Sequence, residues 1–550
     1  MALVIYFTFS GGAAAAPLDA RLALDVVPGP SGSYAEDFTE FDGRLLFAAD
    51  SPETGLELWQ SDGKTAGLVA DINPGAPSGA PRSFERLGAY LYFRAATAAQ
   101  GGELWRTNGS TVELVSDIRP GPASSNPTGL TTLGGHIYFS AQTDAEGTEL
   151  WRTDGTTTEL VSDITPGAVS SQPGNITPLG SEVFFSASTP ATGSELWSSD
   201  GTTTAMVTNI NPGAASSFPN GFTELNGELY FAATTAAFGT EVWTTDGSST
   251  VSIGNIAPGA ASSGPSGFEV ADGFVYFRAD NVANGLELWR TNGAGVEPLG
   301  DINPGAGDSS PIQITADGSN VYFSAFDDLV GNEPRLWNGS SITLLKDINP
   351  GPMNSDARQF TRFGGTVYFS ARTATQGAEV WSTDSGISLL EDILPGPDPS
   401  EPDEFTPLGD SLYFSADDGT HGFEVWKLSP PDVSARISID GTRIKLNRKG
   451  TGKLKVTCPA AEQTGPCAGR VTVTTRGKIK AGGKKRRVTF AKVAYSTQPG
   501  TKATLAIKVK AKDRRLLKKV RAARKVLVTA TVEDGAGNSG SAKKKLKLLP

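Results

Sequence analysis

One phrase, Gly-x-Glu-(Leu/Val)-Trp, is written eight times and once more in altered form, ending at Trp59, Trp105, Trp151, Trp197, Trp243, Trp289, Trp337 (the altered copy), Trp381 and Trp426. These are all nine tryptophans of the 550-residue chain, and successive copies lie 46, 46, 46, 46, 46, 48, 44 and 45 residues apart. A period of this length marks a repeat architecture, in which one supersecondary unit is copied and stacked. Most of the chain is therefore scaffold, and specific function is expected where the copies differ.

The copy from Gly129 to Gly167 reads GLTTLGG-HIYFSA-QTDAEG-TELWRT-DG-TTTELVSDI-TPG. Four short runs rich in Thr, Ile, Tyr, Phe, Trp, Leu and Val, parted by turn residues, predict four strands. Gly134-Gly135 joins the first two, and other copies hold Asp42-Gly43, Asn226-Gly227 or Asp272-Gly273 there. Asp154-Gly155 joins the last two, elsewhere Asn108-Gly109 or Asp246-Gly247. Such dipeptides tolerate the positive φ of a two-residue hairpin turn. Pro166-Gly167 then fits a type II turn.

A four-stranded meander cannot bury both of its faces alone, but radial stacking buries them, which is how a propeller blade works. Side chains alternate along a strand, so Glu149 and Trp151 share one face. Before the first full copy stands a lone fourth strand, Arg21 to Asp25, and after Trp426 the fourth strand is missing. The N-terminal strand can complete the last unit. The fold class expected is all-β: a closed β-propeller of about nine four-stranded blades with a 46-residue repeat, followed by a small immunoglobulin-like β-sandwich. The expected division is a signal-peptide-like segment at 1–16, the propeller at 17–429 and the sandwich at 430–550.

Over residues 21 to about 428 the chain resembles the bacterial ELW-x-x-DGT repeat proteins, on the motif Glu149-Leu150-Trp151-Arg152-Thr153-Asp154-Gly155-Thr156. The resemblance implies an extracellular, propeller-like protein and no reaction, cofactor or functional residues. The seventh copy departs from the motif. There Gly331-Asn332-Glu333-Pro334-Arg335-Leu336-Trp337 reads as arginine in the glutamate position, with the following hairpin cut to Asn338-Gly339.

Charge divides the chain. Residues 433–550 hold 31 of the 48 Lys+Arg and 5 of the 59 Asp+Glu, a balance of +26, which leaves −37 on residues 1–432. The two parts suit different partners. Ala2 to Phe9 is apolar and is followed by Ala13 to Ala16, the pattern of a secretory signal without its basic start. The alternative is a plain apolar end. No apolar run reaches the ~20 residues of a membrane span. Cys458 and Cys467 are the only cysteines; in a secreted chain the pair suggests a disulfide, and a metal site would need more ligands than His136 and His421 add.

In the C-terminal part, alternating runs at 434–447, 453–457, 470–475, 487–494, 504–509 and 525–532 predict about seven short strands of a sandwich. Lys512 to Val520 reads as one short helix, and Val532 to Asn538 as a final turn like that of bacterial secreted immunoglobulin-like modules. The basic charge reads either as a docking surface for an anionic polymer or as a solvated outer face. Base stacking would need interleaved aromatics, and only Phe490 and Tyr495 are present, so no specific nucleic-acid partner is expected.

No motif for nucleophilic, phosphate-binding or metal chemistry occurs. The repeated glutamates (Glu57, Glu103, Glu149, Glu195, Glu241, Glu287, Glu379, Glu424) are too many for a catalytic pair and read as structural acceptors. Asp327-Asp328 and Asp417-Asp418 lack the spaced oxygens of a calcium loop. No cofactor and no metal is expected, and the chain is not expected to be an enzyme. The expected function is a secreted or cell-surface recognition or adhesion scaffold of unknown ligand, with wall or extracellular polysaccharide or a surface protein as possible partners. The alternatives are a polysaccharide-active propeller enzyme and a structural surface-layer component. Second–third loops and inter-blade linkers, read as the longer and more varied connections, place candidate ligand contacts at Asp327, Asp328, Arg335, Asp417 and Asp418.

Overall fold

The computed structural model describes residues 18–384, 386–429, 437–459, 467–481, 483–498, 500–533 and 539–550. The leader-like segment 1–16, the Pro430-Pro431 boundary, the chain between the cysteines at 460–466 and the turn residues 534–538 lie outside them. Two compact units are present, one ending at Ser429 and the other running to Pro550.

The first unit is all-β and propeller-like, built of nine four-stranded antiparallel sheets. The third sheet shows why. Its strands are Thr128–Leu133, His136–Thr143, Gly147–Thr153 and Thr158–Ser162, hydrogen-bonded in chain order. Gly134 and Gly135 have φ of 59° and 84°, the two positive values that a type I′ hairpin turn requires. In the second strand Ile137, Tyr138, Phe139, Ser140 and Ala141 are all buried, so both of its faces are covered. Such a strand needs other elements packed on both of its faces. Trp151 packs with Ile137 and Phe139 of its own sheet and with Tyr92, Leu104 and Ile118 of the sheet before it. Burying a ring such as Phe139 contributes roughly 2–3 kcal/mol.

The ninth sheet is assembled from both ends of the unit. Asp19–Leu24 pairs antiparallel with Phe423–Ser429, with Leu22 opposite Trp426. Leu24 packs beside Phe38 and Phe47 of the first sheet. The ninth and first sheets also exchange hydrogen bonds, Phe38 N–H to Glu404 at 3.3 Å and the Thr406 hydroxyl to the Phe38 carbonyl at 3.5 Å.

The second unit contains ten strands among its described residues, more than the seven expected. The stretch read as one strand at 434–447 divides into Ser438–Ile439 and Arg443–Lys445, and the reading omits Ser539–Leu549, the longest strand of all. Ser438–Ile439, Thr451–Thr457 and Lys502–Lys508 form one sheet. Arg443–Lys445, Ser539–Leu549, Lys525–Glu533, Cys467–Thr475 and Thr489–Thr497 form another, in that order. Val456, Val471, Val473, Val528, Leu546 and Leu548 share one core. A helix spans Ala511–Lys519 and buries Leu517. Cys458 and Cys467 are disulfide-bonded, with Cα atoms 5.8 Å apart, and both are fully buried.

Candidate ligand-contact site

The repeated glutamate fixes the linkers from which the site is built. Glu149 accepts hydrogen bonds from the Ile164 N–H (3.1 Å), the Ser171 N–H (2.8 Å) and the Ser171 hydroxyl (2.5 Å). It therefore ties its own strand to the linker leading to the next sheet. All nine copies are at most 2% exposed. Burial pushes their carboxyl pKa values up against the opposing pull of these donors, to about 7 in Glu333 and Glu379.

Glu333 is the ninth member of this set, which corrects the reading of the seventh copy. Glu333 stands opposite Ala325 and holds the Ile348 N–H at 2.8 Å, as Glu149 stands opposite Ala141 and holds Ile164. Arg335 stands opposite Phe323, as Trp151 stands opposite Phe139. Arginine thus replaces the tryptophan, and Trp337 lies two residues farther on. The following connection is not cut either: Asn338 to Ser341 forms the same four-residue loop as Asp154 to Thr157.

Those loops correct a second expectation. The Asp-Gly dipeptides do not make two-residue turns between the third and fourth strands. The Asp154 carboxylate accepts the N–H groups of Thr156 and Thr157, both at 2.7 Å, and draws these two residues into the loop. The second–third connections, expected to be longer, have three residues in seven sheets and five in the other two. Only the linkers between sheets are long, at eleven to thirteen residues.

The sequence-predicted contact residues are placed as follows. Asp327 ends a strand rather than lying in a loop, and it forms an ion pair with Arg335 at 3.3 Å, with side chains 19% and 8% exposed. This pair is turned inward and does not form a surface patch. Asp328 lies in the short loop beside it and its N–H bonds to Asn303. Asp417 ends a strand of the ninth sheet and caps the Gly419 N–H. Asp418 accepts three hydrogen bonds from Thr420 and His421, and its contact with the imidazole holds the His421 pKa above the usual value. Among the described residues no group of three or more His, Cys, Asp or Glu could hold a metal ion.

The linker ends present a different set. Where each linker enters the first strand of a sheet, one residue takes a left-handed conformation, with φ between 44° and 55°. These residues are Tyr34, Ala80, Asn126, Gln172, Phe218, Gly264, Ser310, Asp356 and Glu401. The backbone is held alike: Tyr34, Ala80, Asn126, Gln172 and Phe218 each donate to a carbonyl of the preceding sheet. Nine copies carry nine different residues in one geometry that most side chains disfavour. Such strain gathers at functional sites. Three residues on, a second left-handed position holds Asp37, Ser83, Gly129, Asn175, Gly221, Gly267, Gln313, Gln359 and Glu404.

Chemistry is distributed unevenly around these entries. Sheets three to six present Asn126, Thr128, Gln172, Asn175, Phe218, Asn220 and Ser266, all neutral. Sheets eight, nine, one and two present Asp356, Arg358, Glu401, Asp403, Glu404, Glu36, Asp37 and Arg82. Within the charged group a cavity of about 280 Å³ is lined by Tyr34, Glu36, Arg358, Glu401, Asp403, Glu404 and Phe423, with Ala35 and Ser415. Tyr34 and Phe423 stack with ring centroids 5.6 Å apart. Arg358 is already paired with Glu401. Burial, and then the neighbouring Asp37 charge, push Glu36 up, and burial pushes Asp37 and Glu404 up. No motif marks this site, because a column of nine different residues has none. Aligning the copies on the glutamate would have exposed it.

No protein-family model matches the chain, and no curated protein matches it in sequence. Solved structures do match in shape. One, from a study of two prolyl endopeptidases, is 13% identical with a TM-score of 0.34, over 68% of this chain and 52% of that one. The chain thus spans about half the length of that structure. Sqt1 of Saccharomyces cerevisiae is 10% identical with a TM-score of 0.35, over 76% of this chain and 99% of that one. An α-L-arabinanase of Penicillium chrysogenum, complexed with arabinobiose, is 12% identical with a TM-score of 0.21, over 76% of this chain and 98% of that one.

Proposed function

We propose that the protein is an extracellular, non-enzymatic recognition scaffold of the ELW-x-x-DGT kind. On this reading its nine sheets close into a nine-bladed propeller, the second unit is an immunoglobulin-like sandwich, and residues 1–16 direct export. Closure is supported by the shared ninth sheet and its contacts with the first. Export is supported by the buried disulfide, a bond that persists in oxidising compartments. No helix among the described residues is long and apolar enough to cross a membrane.

The ligand is proposed to contact the linker ends at the Tyr34–Phe423 cavity. The observation that carries this is its composition: four carboxylates and one arginine, already paired, beside a stacked aromatic wall. Such a wall and an excess of negative charge favour an ammonium group. A test uses glucosamine oligomers and their N-acetylated forms as probes. The expected result is binding of the free amines alone, weakened at least fivefold by Tyr34→Ala or by Glu36→Gln, the latter with the melting temperature unchanged. Equal binding of both forms, or of neither, overturns the reading.

A polysaccharide-active enzyme is the second reading, favoured by Glu36 and Glu404, whose raised pKa values suit general acids. Hydrolysis of a polysaccharide that Glu36→Gln abolishes would establish it over the first. A surface-layer component is the third, and lattice formation by the purified chain would support it.

A further inference from the structure

The outer faces of the two sheets in the second unit carry charge in different ways. On the three-stranded sheet every lysine is opposite a small neutral residue: Lys453 faces Ala506, Lys455 faces Thr504, Lys508 faces Thr451 and Lys502 faces Thr457. That is the ordinary spacing of a solvated face. On the five-stranded sheet Lys547 lies between Arg443 on one side and Lys525 on the other, all three exposed and directly paired across the strands. Like charges placed opposite one another destabilise a sheet. Lys545 and Lys543 continue the same face along the strand, opposite Leu527 and Thr529. None of these positions carries an acid.

This track has an end. Leu446 N–H bonds the Leu549 carbonyl at 2.9 Å, so the parallel strands Arg443–Lys445 and Ser539–Leu549 finish together. At that point a cavity of about 480 Å³ is lined by Arg448, Arg514, Arg515 and Lys518. Arg514 spends one nitrogen on the Arg448 carbonyl at 2.8 Å, and its buried Nε has no partner among the described residues.

We propose that this face and its terminal pocket are a docking site for a linear anionic polysaccharide. Cations alternate along the strand at about 6.8 Å and across strands at about 4.8 Å, a ladder that suits a polymer with closely repeated charges. A ligand that neutralises the row also removes the repulsion the free protein carries. Single-stranded nucleic acid would seek aromatic platforms, but Phe490 and Tyr495, at 3% and 7% exposure, are spent in the core.

The experiment measures binding of the full chain to polygalacturonate, neutral dextran and poly(dT) across a salt series. The expected result is polygalacturonate binding that falls steeply with salt, no dextran binding, and weaker poly(dT) binding at equal salt. Replacing Lys543, Lys545 and Lys547 together by Glu lowers polygalacturonate affinity at least tenfold. The same three charge reversals at Lys453, Lys455 and Lys508 change it less than twofold, with neither variant melting below the parent. Equal losses in the two variants reduce the effect to bulk charge and overturn the proposal. Tighter poly(dT) binding transfers the face to nucleic acid, and salt-sensitive self-association that polygalacturonate does not compete away transfers it to a second copy of the chain.

Discussion

Arg335 lies 3.3 Å from Asp327 in the seventh sheet, at the place where eight other sheets carry tryptophan. Its Nε points at the Ala325 carbonyl at 3.4 Å, as the Trp289 indole N–H donates to Ala279 and that of Trp381 to Ala371, both at 3.0 Å. The guanidinium makes the hydrogen bond that the indole makes in the sheets of Trp289 and Trp381, and it adds a charge, which Asp327 balances. At the position of Asp327 the sheets with strands ending at Thr97, Thr143, Thr189, Thr235 and Thr373 have threonine. The other three sheets hold Ser51, Asn281 and Asp418 there, so an acid at this position is not peculiar to the seventh sheet, but Asp327 alone faces an arginine.

A buried pair is costly to break and often neutral to replace whole. Arg335→Ala or Asp327→Ala alone is expected to destabilise the first unit by about 3 kcal/mol or more, because each leaves an uncompensated charge. Arg335→Trp combined with Asp327→Thr is expected to restore or exceed the parent stability. Urea unfolding of the four proteins decides this, and a double variant no better than the single ones would show that the site no longer accepts the repeat's side chains.

This pair also shows how far the sequence could be read. The nine tryptophans mark the period, the apolar runs between turn residues mark the strands, and the lone run Arg21 to Asp25 marks the shared ninth sheet. The tryptophans fail at the seventh copy because Trp337 is not in register. Counting from Glu287 to Glu333 to Glu379 gives 46 and 46, where the tryptophans give 48 and 44. The loop lengths are not legible in the dipeptides because a side chain sets them: the Asp154 carboxylate gathers two N–H groups that no dipeptide rule describes. Ser539–Leu549 is hard to read as a strand because three consecutive lysines interrupt the alternation by which Leu546 and Leu548 enter the core. The Tyr34 cavity depends on backbone conformation at positions that share no residue type.

The buried glutamates make stability depend on pH. An acid whose folded pKa lies above its ordinary value binds its proton more tightly in the folded state. Its contribution is complete below the ordinary 4.5 and is lost as pH rises through about 7 for Glu333 and Glu379. The first unit is therefore expected to lose stability between pH 5 and pH 8. Glu379→Gln should flatten that slope. It should also lower stability at pH 5 by roughly 1–3 kcal/mol, since the amide turns donors toward the N–H of Ile393, Leu394 or Ser400. Denaturant titrations at four pH values measure both effects, and a variant with the parent's slope would remove Glu379 as a source.

The disulfide closes a short loop in the second unit. By chain entropy it should stabilise that unit by up to roughly 3 kcal/mol. Replacing Cys458 and Cys467 by Ser is expected to lower the denaturation midpoint of the second unit and to leave the pH-dependent transition of the first unmoved. Thiol titration of the unreduced, unfolded protein should find no free thiol.

The N-terminal strand carries the most consequential prediction. Asp19–Leu24 is the outer strand of the ninth sheet, yet its effects reach farther than one ladder. Leu22 lies opposite Trp426, and Leu24 packs against Phe38 and Phe47 of the first sheet. The linker that follows supplies all the donors seen on the buried Glu424: the N–H groups of Val26 and Val27, both at 2.9 Å, and the Ser33 hydroxyl at 2.8 Å. Removing residues 18–27 would expose the edge of the Phe423–Ser429 strand and strip two of those three donors from a carboxylate with no exposed surface. An unpaired strand edge invites pairing with another chain. The truncated protein is thus expected to melt well below the parent and to self-associate, and a synthetic peptide of residues 18–27 added in excess should reverse part of both changes. A truncated protein that stays monomeric with the parent's melting temperature would show that the nine sheets do not depend on this strand to hold together.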